Sequence, residues 1–262
     1  MKVLVIPDIH CRKFWRRCIF DNIGNVDKVI FLGDYLDPYP EEIQMAPELM
    51  EVNSFYDAQN ALKMLDNIIS LKKNEPNKFI LLCGNHTCSY IWSKFRAASR
   101  TDYRNWEKYH KFFSENLNLF NLVWIENNTI FSHAGISEGW ANRIWESLDF
   151  PEDELSSVKE IAEVLRDTPL VDFNKHYIKP LGDISHYRYG ESQFGSCEWA
   201  DIREHVDMKS SITEIIPKGE DEIYQVFGHT QVKSPIITDK WACLDCKQGF
   251  IFDTITHEIT EC

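Results

Sequence analysis

Five times along this sequence a short run of aliphatic and aromatic residues stops at an Asp, Asn or His. Val3-Leu4-Val5-Ile6-Pro7 leads into Asp8-Ile9-His10, and Val29-Ile30-Phe31-Leu32 into Gly33-Asp34-Tyr35-Leu36-Asp37. Phe79-Ile80-Leu81-Leu82-Cys83 leads into Gly84-Asn85-His86, Thr129-Ile130-Phe131-Ser132 into His133-Ala134-Gly135, and Val226-Phe227 into Gly228-His229-Thr230. Short apolar runs without polar alternation read as strands buried on both faces. Helical patterns over residues 13–23 and 47–73 separate the first three, with Val52, Phe55, Leu62, Leu65 and Ile69 on one stripe of the longer helix. Strand–helix–strand alternation implies a parallel sheet with crossover helices. The carboxyl ends of such strands line one ligand-binding rim.

The rest of the chain is less regular. Residues 90–157 read as mostly helical, with strands near 122–126 and 129–132. Pro151 with Glu152, Asp153 and Glu154 reads as a turn into a helix reaching Arg166. Residues 168–207 lack a clean period and read as long loops. From Ile223 onward, strand-like runs at 223–227, 235–238, 241–244 and 250–253 suggest a second sheet. With 262 residues, 44% of them hydrophobic, the chain has ample material for a sizeable core. The expected class is α/β, with 1–262 as one domain carrying a helical and loop insertion around 88–207.

Composition removes several functions. No run of 18 apolar residues is present, so no membrane span is expected. Met1 runs straight into a strand with no leader pattern, which together with the cysteine usage predicts a cytoplasmic protein. Eight cysteines in a chain of this size do not suggest a disulfide framework. Cys243-x-x-Cys246 lacks a second pair or a histidine pair and reads as reduced cysteine, while Cys11, Cys18, Cys83, Cys88, Cys197 and Cys262 are scattered. Lys+Arg of 28 against Asp+Glu of 41 gives −13, which argues against nucleic acid as a partner because that affinity comes from neutralising phosphates.

Imidazole nitrogens with carboxylate and amide oxygens suit Mn, Fe or Zn better than Ca. Asp8, His10, Asp34, Asn85, His133 and His229 exceed the three or so protein ligands of one catalytic zinc, and suit two ions sharing a carboxylate. A lone Asp-x-His after a strand is more often a turn or cap, and a lone Gly-Asn-His a turn, since Asn tolerates left-handed backbone. The conjunction of five such ends in this order carries the reading.

Asp-x-His, Gly-Asp-x-x-Asp, Gly-Asn-His, His-x-Gly and Gly-His-Thr in this order resemble the calcineurin-like metallophosphoesterase superfamily, and most of all its branch of Ser/Thr phosphoprotein phosphatases and symmetrical dinucleoside tetraphosphatases. The resemblance runs from Asp8 to Thr230 and implies a two-sheet β-sandwich flanked by helices, with a dinuclear metal centre at its edge. It implies that Asp8 and His10 hold the first ion, that Asp34 bridges both, and that Asn85, His133 and His229 complete the second. It also implies His86 as proton donor to the leaving oxygen, oriented by Asp37. A metal-bridging hydroxide would then attack phosphorus in line, the inner cluster staying positive and attractive to a phosphate dianion.

Three positions depart from the superfamily pattern. Pro38-Tyr39 stands where an Arg-Gly commonly follows the second Asp, Thr87 where an acid commonly follows Gly-Asn-His, and Gln231 where many members carry a second His. The last change is shared by the protein-phosphatase branch. An arginine is needed to hold phosphate bidentately, and Arg188 in Ser185-His186-Tyr187-Arg188-Tyr189-Gly190 is the candidate, with Arg203 second. Trp199-Ala200-Asp201 resembles the Trp-x-Asp stretch of protein phosphatases, and His186 is placed near the same site. His110, His176, His205 and His257 are read as surface or satisfied core histidines. The expected activity is phosphomonoester hydrolysis on a phosphoprotein or nucleotide, with dinucleoside polyphosphate hydrolysis as the alternative. A catalytically inactive metal-binding regulatory module is the rival of another class.

Overall fold

The first three apolar runs form buried strands because nearly every side chain in them is branched or aromatic and both faces are covered. In the computed structural model, which describes residues 1–93, 95, 97–147, 158–170, 179–206 and 223–262, β1 (Lys2–Ile6), β2 (Lys28–Phe31) and β3 (Phe79–Leu82) pair in parallel. Ile6 stands opposite Phe31, and Phe31 opposite Leu81, so the three strands end at one edge. β4 (Phe120–Asn121) follows β3 in the sheet order. Two further strands complete the sheet on its other side: β10 (Phe250–Asp253) runs antiparallel to β1, and β11 (Ile259–Glu261) antiparallel to β10. The last strand has no counterpart among the runs expected from the sequence.

The chain divides into two units, Met1–Phe120 with Lys247–Cys262, and Asn121–Cys246. The first carries α1 (Phe14–Asn22), α2 (Pro40–Met45), α3 (Ala58–Asn74), α4 (Asn85–Ile91) and α5 (Trp106–Glu115). The long helix expected from residue 47 begins only at Ala58. Pro47–Leu49 is an isolated 3₁₀ turn, and the Asp57 carboxylate caps α3 by accepting from the Asn60 amide at 3.2 Å. Met64, Leu65, Ile68 and Ile69 form the buried stripe of α3, whereas Val52 and Phe55 precede it. Cys18 and Cys262 form a disulfide across a sequence separation of 244, correcting the expectation of scattered reduced thiols. The two sulfurs leave no room for a side chain at Gly249, where an added Cβ would lie 2.8 Å from that of Cys262 and 2.9 Å from that of Cys18.

The second unit is built on a mixed sheet. β5 (Val123–Glu126) and β6 (Thr129–Ser132) form a hairpin whose turn uses the left-handed backbone of Asn127, φ 54°. β7 (Tyr224–Phe227) pairs in parallel with β6, placing Phe131 opposite Val226. Beyond it lie β9 (Trp241–Cys243), parallel to β7, and β8 (Ile236–Ile237), antiparallel to β9. α6 (Glu138–Ser147), α7 (Val158–Asp167) and α8 (Ile202–Val206) accompany this sheet. Val158, Ile161, Ala162 and Leu165 give α7 one apolar stripe, which packs against β5. The turn expected at Pro151 and the histidine at 176 lie outside the described residues. Two sheets flanked by helices make the α/β class that the sequence implied. Among the described residues no helix is long and apolar enough to cross a membrane.

Candidate functional site

In the first unit the ends of β1, β2 and β3 are locked together by backbone. Gly33 adopts φ +120°, and a Cβ there would lie 2.7 Å from the Gly84 amide nitrogen, so the turns after β2 and β3 touch main chain to main chain. The His10 amide donates to the Asp34 carbonyl at 2.8 Å, and the His86 amide to Asp34 Oδ1 at 3.0 Å. His10, Asp34 and Asp37 all have left-handed backbone, φ 43°, 46° and 58°. Such angles are costly outside glycine and persist where the surroundings enforce them, which is common at functional sites.

These turns gather the side chains singled out from the sequence. Asp8, His10, Asp34, Asp37, Asn85 and His86 are all buried. His10 Nδ1 donates to the Leu36 carbonyl at 2.8 Å, which fixes the tautomer and leaves Nε2 as the lone-pair nitrogen, 3.8 Å from Asp34 Oδ2. One ligand atom each from His10, Asp34 and His86 lies within 4.8 Å of the others. Burial, reinforced by the neighbouring His86, holds the His10 imidazole well below its ordinary pKa, so it is neutral and able to ligate. This donor set and tautomer fit a transition-type divalent ion.

His86 is held from its other nitrogen. Its Nδ1 lies 2.6 Å from Asp37 Oδ2, and Asp37 Oδ1 accepts the Tyr90 hydroxyl at 2.5 Å. The Tyr90 oxygen in turn accepts the Asp102 amide at 2.8 Å. Burial raises the Asp37 carboxyl above its usual range against the pull of His86 and Tyr90, and burial raises the Tyr90 phenol, keeping it a neutral donor. Tyr90 was not among the residues picked from the sequence, yet a signal existed. It stands four residues after His86 on α4, so both side chains share one helix face.

The second unit contributes a histidine pair. The Gly228 amide donates to the His133 carbonyl at 2.8 Å, tying the ends of β6 and β7, and His133 Nε2 lies 3.1 Å from His229 Nδ1. Two nitrogens bound to one ion at roughly 2.0–2.1 Å would be about 2.9–3.4 Å apart in octahedral or tetrahedral arrangement. The spacing therefore fits joint ligation. Trp199 meets the His229 ring edge-on at 6.0 Å.

Asp201 organises the two arginines named from the sequence. Arg188 Nε lies 2.7 Å from its Oδ2 and Arg203 Nε donates to its Oδ1 at 2.7 Å. Although burial opposes it, these guanidiniums hold the Asp201 carboxyl below its ordinary range. Arg188 Nη2 also reaches Thr230 Oγ1 at 2.6 Å and the His229 carbonyl at 3.4 Å, whereas Arg203 turns to the Tyr187 carbonyl at 2.7 Å.

His205 is buried behind the pair. Its Nε2 donates to the Ala134 carbonyl at 3.5 Å, its ring sits 5.2 Å from that of Phe227, and burial lowers its pKa to about 4. His110 bonds the Tyr90 carbonyl and stacks on Trp106, while His257 stacks on Phe252 and His186 lies against Tyr187. Neither Cys243 nor Cys246 enters a disulfide.

A family model described as calcineurin-like phosphoesterase matches residues 1–232. Among solved structures, a cold-active protein-tyrosine phosphatase of the psychrophile Shewanella sp. superposes with TM-score 0.54 at 14% identity, covering 99% of this chain and 80% of that one. A protein serine/threonine phosphatase from Saccharomyces cerevisiae, similar to human phosphatase PP5, superposes with TM-score 0.51 at 13% identity, covering 100% and 79%. At these identities the likeness is one of fold. No curated protein matches the chain.

Proposed function

Because the chain belongs to the calcineurin-like phosphoesterase family and is a metal-dependent phosphoric ester hydrolase, we propose that it hydrolyses phosphomonoesters, with a Ser/Thr phosphoprotein as the first substrate class, through a centre of two divalent ions. The observation that carries this reading is the meeting of His10, Asp34 and His86 within ligand distance while Asp37 occupies the far nitrogen of His86. Asp8, His10 and Asp34 would hold one ion, and Asp34, Asn85, His133 and His229 the other. Mn, Fe and Zn suit this nitrogen and oxygen set. Ions bound there would lower the pKa of coordinated water to about 7 and offset charge on phosphoryl oxygens.

The chain's own groups would do the rest. His86, its ring fixed by Asp37, gives a proton to the leaving oxygen. Arg188, with Arg203 as the second candidate, binds phosphoryl oxygens. An inactive metal-binding module would have no use for a buried carboxylate–imidazole pair backed by a tyrosine, which favours an enzyme. Phe227-Gly228-His229-Thr230 is the local feature that favours the second reading, dinucleoside polyphosphate hydrolysis. Purified protein assayed with Mn against p-nitrophenyl phosphate, a phosphopeptide panel and diadenosine tetraphosphate separates them. Turnover of none of these, with two ions bound, would refute both substrate readings.

A further inference from the structure

Arg100 lies beside the first unit's turns and takes no part in the chemistry above. Its guanidinium stacks over the Tyr39 ring, 3.7 Å from the centroid, and the same ring meets His10 edge-on at 5.3 Å. Arg100 Nε donates to the Asp37 carbonyl at a long 3.4 Å, and Nη1 reaches Ser99 Oγ at 3.3 Å. No carboxylate pairs with it among the described residues. Its neighbour Arg12 is the contrast, with Nε and Nη2 bound to the Glu42 carboxylate at 2.7 and 3.1 Å.

Two independent features mark Arg100 as poised rather than merely present. Stacking on an aromatic face fixes the guanidinium plane while leaving its charge and N–H edges for an anion. Its backbone is left-handed, φ 63°, the same costly conformation found at His10, Asp34 and Asp37. Tyr39, which supplies the platform, stands in the Pro38-Tyr39 segment where the superfamily commonly has its arginine.

We propose that Arg100, carried on Tyr39, is the phosphate-binding residue of the first unit, gripping an oxygen of the phosphoryl group beside His86. The proposal rests on the hydrolase reading for its substrate, and on the geometry alone for its anion. A tetrahedral phosphate would meet the Nη edge, which makes only the weak Ser99 contact, in place of a solvating water.

The test uses metal-loaded protein and two readouts: steady-state hydrolysis of p-nitrophenyl phosphate, and calorimetric binding of inorganic phosphate. Arg100→Gln should raise KM and the phosphate Kd about 10- to 100-fold, the scale of a lost hydrogen bond to a charged group, with metal content unchanged. Arg100→Lys should recover charge without the fork and fall between. Tyr39→Leu should weaken binding too, and in combination with Arg100→Gln should add little, since both remove one grip. Wild-type KM and phosphate Kd in Arg100→Gln would overturn the proposal, as would full additivity of the two variants. Weakened phosphate binding in Arg100→Gln, alongside a wild type that hydrolyses no phosphoester, would support the site and refute the hydrolase reading instead.

Discussion

Replacing Asp37 by Asn isolates what the carboxylate does for His86. The native carboxylate serves two donors at once, His86 Nδ1 at 2.6 Å and the Tyr90 hydroxyl at 2.5 Å. An amide of the same shape has one acceptor oxygen. If that oxygen keeps Tyr90, its NH₂ faces Nδ1 and favours the tautomer with the proton on Nε2, while no anion remains to support an imidazolium. A charge-assisted hydrogen bond contributes about 1.5–3 kcal/mol. At about 1.36 kcal/mol per decade this becomes a loss of roughly 10- to 150-fold in kcat for a leaving group that needs its proton. The assay compares phenyl phosphate with p-nitrophenyl phosphate, whose weakly basic phenolate leaves with less help. Phenyl phosphate turnover should fall by the full factor and p-nitrophenyl phosphate turnover by several-fold less. Bound metal, measured by mass spectrometry, should not change, because Asp37 is assigned to neither ion. Equal losses on the two substrates, or loss of an ion, would refute the assignment of Asp37 as the positioning partner of a proton donor.

Three further outcomes rest on the same geometry. Asp34→Asn removes the one carboxylate assigned to both ions, so metal analysis should show a clear fall in stoichiometry along with loss of activity; two ions retained at full occupancy would refute the bridging role. Gly33→Ala should lower stability by more than about 2 kcal/mol in urea, because φ +120° strains any side chain and the new Cβ would press on the Gly84 amide at 2.7 Å. The third concerns His205, whose pKa burial depresses from 6.5 to about 4, so its stabilisation is complete above pH 6.5 and is lost as pH falls towards 4. From pH 7.5 to 5.5 this costs about 1.3 kcal/mol, and urea unfolding of His205→Asn should show a correspondingly flatter pH profile; parallel profiles would contradict it.

The candidate rim was legible because each of its residues comes within four positions of a strand end. Val3 to Ile6 and Val29 to Phe31 can only be buried strands, and parallel pairing puts the residues after them at one edge. Helix limits were less legible for a physical reason. Val52 and Phe55 fall in step with the helical period of Leu62, Leu65 and Ile69, but a period does not record where the backbone starts to coil. The signal for that was Asp57, three residues before the amide it caps. The disulfide was hidden because Cys18, on α1, and Cys262, just past β11, lie 244 residues apart and meet only in the folded chain. Supporting groups divide along the same line. Tyr90 could be found, since helical spacing ties it to His86 locally. Arg100 could not, because its link to the site is a stacking contact with Tyr39 across 61 residues, and no spacing rule relates an arginine to a distant ring. In this fold the residues that would ligate sit on strand ends and are read locally. Those that would hold the anion come from irregular segments, where only the folded chain makes neighbours. Pro38-Tyr39 in place of the usual Arg-Gly therefore looks like a loss in sequence, while in three dimensions the Tyr39 ring supplies the surface on which Arg100 is stacked.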